Sequence, residues 1–344
     1  MSHNPGAGRM LWPDLAKSIC IVLVVLWHTT MKAFPEVGSQ SAVDAWTVVN
    51  EALLPIRMPL FFVISGFLFT RAMDRGWGAV LKRKVAPNYY LYAVWVTVGV
   101  ALFSFLPPIT NRTNSPLDYI TELALGYATP WYLYALAVYA VATRLLRGSP
   151  RLALLLFASI AVAATVLPAG VPGNMESILR NLVFFAAGAY LPHVVLSIAN
   201  GRRAVYAVTG GAAYLAGVVA FHDYDLVGTP MLSLALSCAA VVFGIAGASL
   251  LASTRVGLAL SGLGHRTLPI YVLHTPILAA LTIPTLQLTG AWAYFYPVVM
   301  TALVVALSIA AYAALNRVAP WLFRLPTWAS RSRLMQVETV PAKV

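Results

Sequence analysis

Near the N-terminus, Lys17 and His28 stand eleven residues apart in an otherwise apolar run, with Asp14 three residues before the lysine. At 100° per residue that interval closes to within ~20° of three full turns, so both side chains leave one face of a helix. The rise between them is about 16 Å, roughly half the hydrocarbon thickness of a bilayer. An ionisable side chain is costly inside a membrane span, which makes each of these groups a candidate for function. A neutral imidazole can take a proton from a hydroxyl or carry a transferred group. Asp14 can pair with Lys17 across one turn. The alternative is that Lys17 snorkels to the interface and His28 is a hydrogen-bonded bundle histidine. Spacing alone does not separate the two.

Further polar residues fall in unexpected places. Glu51, Pro55, Arg57 and Pro59 precede the run from Leu60 to Phe67. Two prolines four apart predict a broken helix, which a membrane tolerates where it lines a cavity. Arg57 could pair with Glu51, face that cavity, or anchor the helix at the interface. Lys82, Arg83 and Lys84 stand just before Pro87; they suit a clamp on phosphates, although counting alone favours a plain inner-loop charge cluster. Trp131, Tyr132 and Tyr134 open an apolar run, where aromatics belong for interfacial reasons. Tyr271 and His274 lie three apart, and a satisfied bundle histidine is the preferred reading there. His193, His222, His265 and His274 are scattered without ligand spacing, so no metal is predicted. Phosphate-loop and nucleophile-elbow motifs are absent from the sequence. Asn111-Arg112-Thr113 fits a glycosylation sequon.

The elements that must hold these groups follow from composition. Of the 344 residues, 60% are apolar and 10% are charged, which excludes an ordinary soluble domain and a disordered chain. Continuous apolar runs fall at roughly 15–34, 53–72, 88–106, 130–146, 152–168, 178–199, 204–222, 229–252, 267–288 and 292–318. The expected fold is therefore an all-α polytopic membrane protein of about ten transmembrane helices. Cys20 and Cys238 lie inside such runs and form no disulfide framework. With the N-terminus inside and the spans alternating, 18 of the 23 Lys and Arg fall on the inner face. Both termini are thereby expected in the cytoplasm. The net charge of +12 is mostly topology, not a nucleic-acid footprint. Residues 1–320 read as one transmembrane domain and 321–344 as a basic cytoplasmic tail.

Several of these segments resemble the membrane acyltransferase 3 family. Trp12-Pro13-Asp14-Leu15-Ala16-Lys17-Ser18 and Val24-Val25-Leu26-Trp27-His28 supply its first-helix signature, a basic residue, ten others, then histidine. Met58-Pro59-Leu60-Phe61-Phe62-Val63-Ile64-Ser65-Gly66-Phe67 resembles the second-helix motif. Pro130 to Tyr134 and Ile270 to His274 match in position, and the subgroup most similar is that of fucose 4-O-acetylase-like proteins. The resemblance implies an integral enzyme of the bacterial plasma membrane. It implies transfer of an acyl group, usually acetyl, from cytosolic acyl-CoA to a hydroxyl of an extracytoplasmic glycan or glycolipid. On that reading His28 is the general base or acyl carrier, and Asp14 orients and neutralises Lys17. Arg57 stabilises the acceptor or an oxyanion, while Lys17, Lys82, Arg83 and Lys84 meet the coenzyme. A homodimer is compatible with it.

The chain also departs from the family pattern. Many relatives carry histidine where this chain has Arg57, and Lys82-Arg83-Lys84 only loosely follows an inner-loop Arg-x-x-Arg pattern. No appended extracytoplasmic domain is expected. The rival readings are a membrane transporter, which inverted repeats would favour and the sequence lacks, and a non-catalytic partner of a glycan assembly complex.

Overall fold

The computed structural model describes residues 10–103, 115–126, 128–166, 174–223, 229–282 and 288–326. The sequon at Asn111 and most of the predicted tail, residues 327–344, lie outside the described residues. Among those described there are helices and no strand. In chain order they are α1 (Trp12–His28), α2 (Gln40–Met73), α3 (Trp77–Val80), α4 (Ala86–Phe103), α5 (Pro116–Leu125), α6 (Trp131–Leu145) and α7 (Pro150–Ala163). There follow α8 (Met175–Tyr190), α9 (Pro192–Asn200), α10 (Arg203–Asp223), α11 (Pro230–Leu251), α12 (Arg255–Ser261), α13 (Thr267–Leu281) and α14 (Ala291–Val318).

Each of the ten predicted runs holds a helix. Among the described residues, six helical stretches are long and apolar enough to cross a bilayer, or seven if α8 and α9, bent by 78° at Leu191, form one span. The runs that fall short are α6, α7 and α13, with 15, 14 and 15 residues. Their length is about 21–23 Å by rise, against ~30 Å of hydrocarbon. The chain is an all-α polytopic integral membrane protein.

α1 occupies the centre. Leu15, Ala16, Cys20, Ile21 and Val25 are fully buried along it, and α2, α11, α12, α13 and α14 surround it. α10 and α14 lie outside, exposing Val208, Leu215, Phe295, Val299 and Leu303. In water that surface would be a liability; in a bilayer it is the face that meets lipid.

The predicted break in the second span does not occur. Pro55 and Pro59 both lie inside an unbroken α2 of 34 residues. Each proline removes one main-chain hydrogen bond, and membrane helices absorb that where neighbours supply a donor. Beside the first gap, the Tyr214 hydroxyl donates to the Ala52 carbonyl.

α2 and α8 approach closely because glycines face each other. A Cβ on Gly66 would collide with the Phe185 carbonyl, and one on Gly188 with the Val63 carbonyl. Small residues set such approaches in membranes, where backbone contact replaces the hydrophobic drive. Gly66→Ala and Gly188→Ala are each expected to destabilise the protein by ~1–3 kcal/mol through overpacking. A thermal melt in detergent checks this, and melting temperatures equal to wild type would contradict the packing.

Residues at the start of the predicted tail return to the bundle. The Trp95 indole N–H donates to the Leu322 carbonyl at 2.7 Å, and Phe323 is buried against Trp95 and Tyr312.

Candidate active site

α1 keeps α-geometry up to His28, and the next turn, Thr29–Ala33, is a π-helix. Thr29 and Thr30 send their hydroxyls back to the Val25 and Leu26 carbonyls at 3.0 and 2.8 Å. Single π-turns inside helices occur often at functional sites, since the wider turn re-aims the side chains beside it.

Two imidazoles meet at this point. His28 Nδ1 lies 2.9 Å from the Val24 carbonyl and 3.3 Å from His274 Nε2. His274 Nδ1 lies 3.1 Å from the Ile270 carbonyl, and the rings cross edge-to-face with centroids 4.6 Å apart. A carbonyl can only accept, so each Nδ1 carries a proton in the neutral pair. His274 Nε2 is then an acceptor, facing His28 Nδ1–H and the Thr275 hydroxyl at 3.2 Å. The remaining nitrogen, His28 Nε2, holds a lone pair and has no partner among the described residues. His274 is fully buried, whereas His28 is only half-buried. A base oriented by a second group is the arrangement that proton abstraction needs.

Sequence reasoning preferred His274 as a satisfied bundle histidine. The ring is indeed fully buried with both nitrogens partnered, and the structure adds that one of those partners is His28, 246 positions away in the chain. No spacing within one helix could have disclosed it.

Arg57 projects toward the same place. Its side chain is 5% exposed and Nη1 has no hydrogen-bond partner. The guanidinium carbon lies 5.2 Å over the Trp27 ring, which itself stands edge-on to His28 at 4.7 Å. The suggested pairing with Glu51 is not made. A buried unpartnered donor is expensive, and cation–π contact with Trp27 offsets only part of that.

At the other end of α1, Lys17 Nζ and Asp14 Oδ1 are 3.0 Å apart, as the spacing predicts. His265 Nε2 stands 3.8 Å from Asp14 Oδ2, a neighbour that sequence reasoning missed. It arrives because the Gly262–His265 turn presses on α1, where a Cβ on Gly264 would collide with the Asp14 backbone. Lys82, Arg83 and Lys84 sit on a second π-turn, Leu81–Val85, between α3 and α4. Buried Arg144 fixes the chain leading into it, donating to the Arg75 carbonyl at 3.0 Å and lying 5.4 Å over Trp77. No described ion pair or hydrogen bond joins this cluster to Lys17.

The aromatics at the start of α6 are not merely interfacial. Tyr132 is buried, stacks on Phe61 at 4.6 Å and shares a 2.6 Å hydrogen bond with Ser65. Its main-chain N–H donates to the Tyr271 hydroxyl at 3.1 Å, and that hydroxyl donates to the Thr129 carbonyl at 3.2 Å. Tyr271 therefore ties α13, and with it His274, to α6. Among the described residues no three His, Cys, Asp or Glu side chains gather closely enough to hold a metal ion.

Comparison with known proteins adds to this geometry. The model of a family described as acyltransferase domain matches residues 10–312. The inner membrane protein YcfT of Escherichia coli (strain K12) is 30% identical over 211 residues, covering 55% of this chain and 58% of that protein. The nodulation protein NolL of Mesorhizobium japonicum is 25% identical over 163 residues, covering 45% of this chain and 40% of that protein. The matched regions thus span 58% and 40% of the lengths of these curated relatives. No solved structure matches the chain.

Proposed function

The chain belongs to the acyltransferase domain family, and from that premise we propose that it is a membrane-bound O-acyltransferase. The donor is cytosolic acetyl-CoA or another acyl-CoA, and the acceptor is a hydroxyl of an extracytoplasmic glycan or glycolipid. The observation that carries this reading is the His28–His274 pair, which leaves one lone pair free on the half-buried ring.

In the reaction, His28 Nε2 takes the hydroxyl proton as the acceptor oxygen attacks the thioester carbonyl. Positive charge then spreads over the His28 ring, where Nδ1–H donates to the Val24 carbonyl and to His274 Nε2. A neutral histidine orients the base here, which spares the membrane interior a permanent carboxylate. The carbonyl becomes an oxyanion, and we assign its stabilisation to Arg57, whose buried Nη1 has no hydrogen-bond partner. Collapse of the tetrahedral intermediate breaks the carbon–sulfur bond, and the coenzyme thiolate recovers the proton from His28. Lys17, Lys82, Arg83 and Lys84 supply positive charge for the coenzyme phosphates at the inner face.

The test is acyl transfer by the purified protein in nanodiscs. Acetyl-CoA should release thiol only when a hydroxyl acceptor is added, and deletion of the gene should remove one acetyl mass from an envelope glycan or lipid. Substrate passage across the bilayer without thiol release would replace this reading with a transporter.

Lys17 gives a second test. Lys17→Met keeps length and packing but removes the ammonium, so a residue that only snorkels should tolerate it. Weakening of acyl-CoA binding by ~1–3 kcal/mol is expected, a factor of roughly 5 to 150 in Kd. The Asp14→Asn, Lys17→Met double variant controls for the carboxylate left behind. Unchanged affinity in both would assign Lys17 to structure.

A further inference from the structure

α2 has its second main-chain gap at Pro59. The missing N–H leaves the Pro55 carbonyl without the bond it would make one turn further on. Tyr214 answers the Ala52 carbonyl beside the first gap, but no described side chain donates to the Pro55 carbonyl. Pro59 itself lines a cleft of about 20 Å³ between α2, α7, α8 and α11, together with Arg180, Asn181, Phe184, Ser233 and Ser237. A cavity of about 430 Å³ adjoins this cleft and shares Arg180 and both serines.

Two side chains of the cleft are buried and lack a partner where they need one. Asn181 is 6% exposed, and its Nδ2 donates to the Ser177 carbonyl of its own helix at 2.8 Å. Oδ1 is thereby the end of the amide directed away from α8, and nothing donates to it. Ser237 is 4% exposed. In a membrane helix a serine normally returns its hydroxyl to the carbonyl one turn back, as Ser18, Ser65 and Ser308 do here. Ser237 makes no such bond and has no other partner among the described residues, Asn181 included. Either group is costly to bury unpaired.

The count of donors and acceptors selects the occupant. Asn181 Oδ1 and the Pro55 carbonyl can only accept, whereas the Ser237 hydroxyl has a proton to give. A species that satisfies all three donates twice and accepts once, as water does. An ammonium has no lone pair for Ser237, and Arg180 at the same cleft repels a metal cation. The space admits a water, which needs ~10–15 Å³, and is too small for a lipid headgroup or a sugar. We propose that the cleft holds an ordered water that bridges Asn181, Ser237 and the Pro55 carbonyl. This water replaces the main-chain bond that Pro59 removes. It joins α2, α8 and α11 within one turn of Arg57, so the segment carrying the guanidinium continues as helix. The inference concerns the scaffold and is independent of acyl transfer.

Synchrotron hydroxyl-radical footprinting of the full-length protein in phosphatidylcholine nanodiscs tests it. Radicals made in bulk solvent do not reach the interior, so a buried ring is oxidised only where a bound water is split beside it. Phe184 lines the cleft and is 7% exposed; Phe185, the next residue, is 2% exposed and does not line it. In the wild type, Phe184 should be labelled about tenfold faster than Phe185, the contrast between a ring beside an internal water and one in a dry core. Ser237→Ala and Asn181→Leu each remove one partner of the water, and each should bring Phe184 to within about twofold of Phe185. Fully buried Phe62 on α2 should stay unlabelled throughout, which reports that each variant is folded. Phe184 labelled no faster than Phe185 in the wild type would mean a dry cleft. Undiminished labelling of Phe184 in either variant would mean loose solvent entering from the larger cavity. Either result overturns the proposal.

Discussion

Replacing His28 with alanine is expected to lower acyl transfer by ~10²–10⁴-fold, the usual range for a lost general base. Folding should survive, because His274 keeps its bonds to the Ile270 carbonyl and to Thr275 when the partner ring is gone. Removing a polar ring from a span also lowers, and does not raise, the cost of insertion. His274 serves as a contrast. It is fully buried and its only lone pair faces His28 and Thr275, so it can orient the base but cannot reach a substrate. His274→Gln should therefore reduce kcat less than His28→Ala does and leave the KM for acyl-CoA unchanged. The measurement is steady-state transfer in nanodiscs alongside a melting curve for each variant. If His28→Ala kept most of its activity, the imidazole would have no place in the mechanism. A larger loss in His274→Gln than in His28→Ala would exchange the two roles.

How much of this was legible in the chain depends on the range of the interaction. The membrane class follows from composition, and each predicted apolar run holds a helix, because burial in lipid demands local main-chain bonding. The Lys17–Asp14 pair and the placement of Lys17 and His28 along α1 are properties of one helix and could be counted off its periodicity. The His28–His274 contact could not, since it forms between the first and thirteenth helices. His265 beside Asp14 has the same cause, a turn brought against α1 by Gly264. The two prolines misled in the opposite direction. Their local effect is real, but α2 continues unbroken through both of them. Tyr132 likewise looked interfacial because its position along the chain was visible and its stacking on Phe61 was not.

Arg57→Gln is expected to lower kcat by ~10²–10³-fold, the range found when one oxyanion donor is removed. The sign of the accompanying stability change separates function from scaffolding. A guanidinium that held the bundle together would be fully hydrogen-bonded, and truncating it would lower the melting temperature. Here Nη1 is buried and unpartnered, and the only described ring beneath the charge is Trp27 at 5.2 Å. Removing a buried charge whose only described partner is one ring is neutral or stabilising, because its desolvation is offset only in part. Arg57→Gln should thus melt at or above the wild-type temperature while losing turnover. Arg57→Lys keeps the charge but gives up the planar fork that lies on the indole, so its rate should fall between the two. Loss of stability together with full activity in Arg57→Gln would identify a structural anchor. The expected pairing, turnover lost and stability kept, is what a chain shows when it holds an uncompensated charge beside His28 for the sake of the reaction.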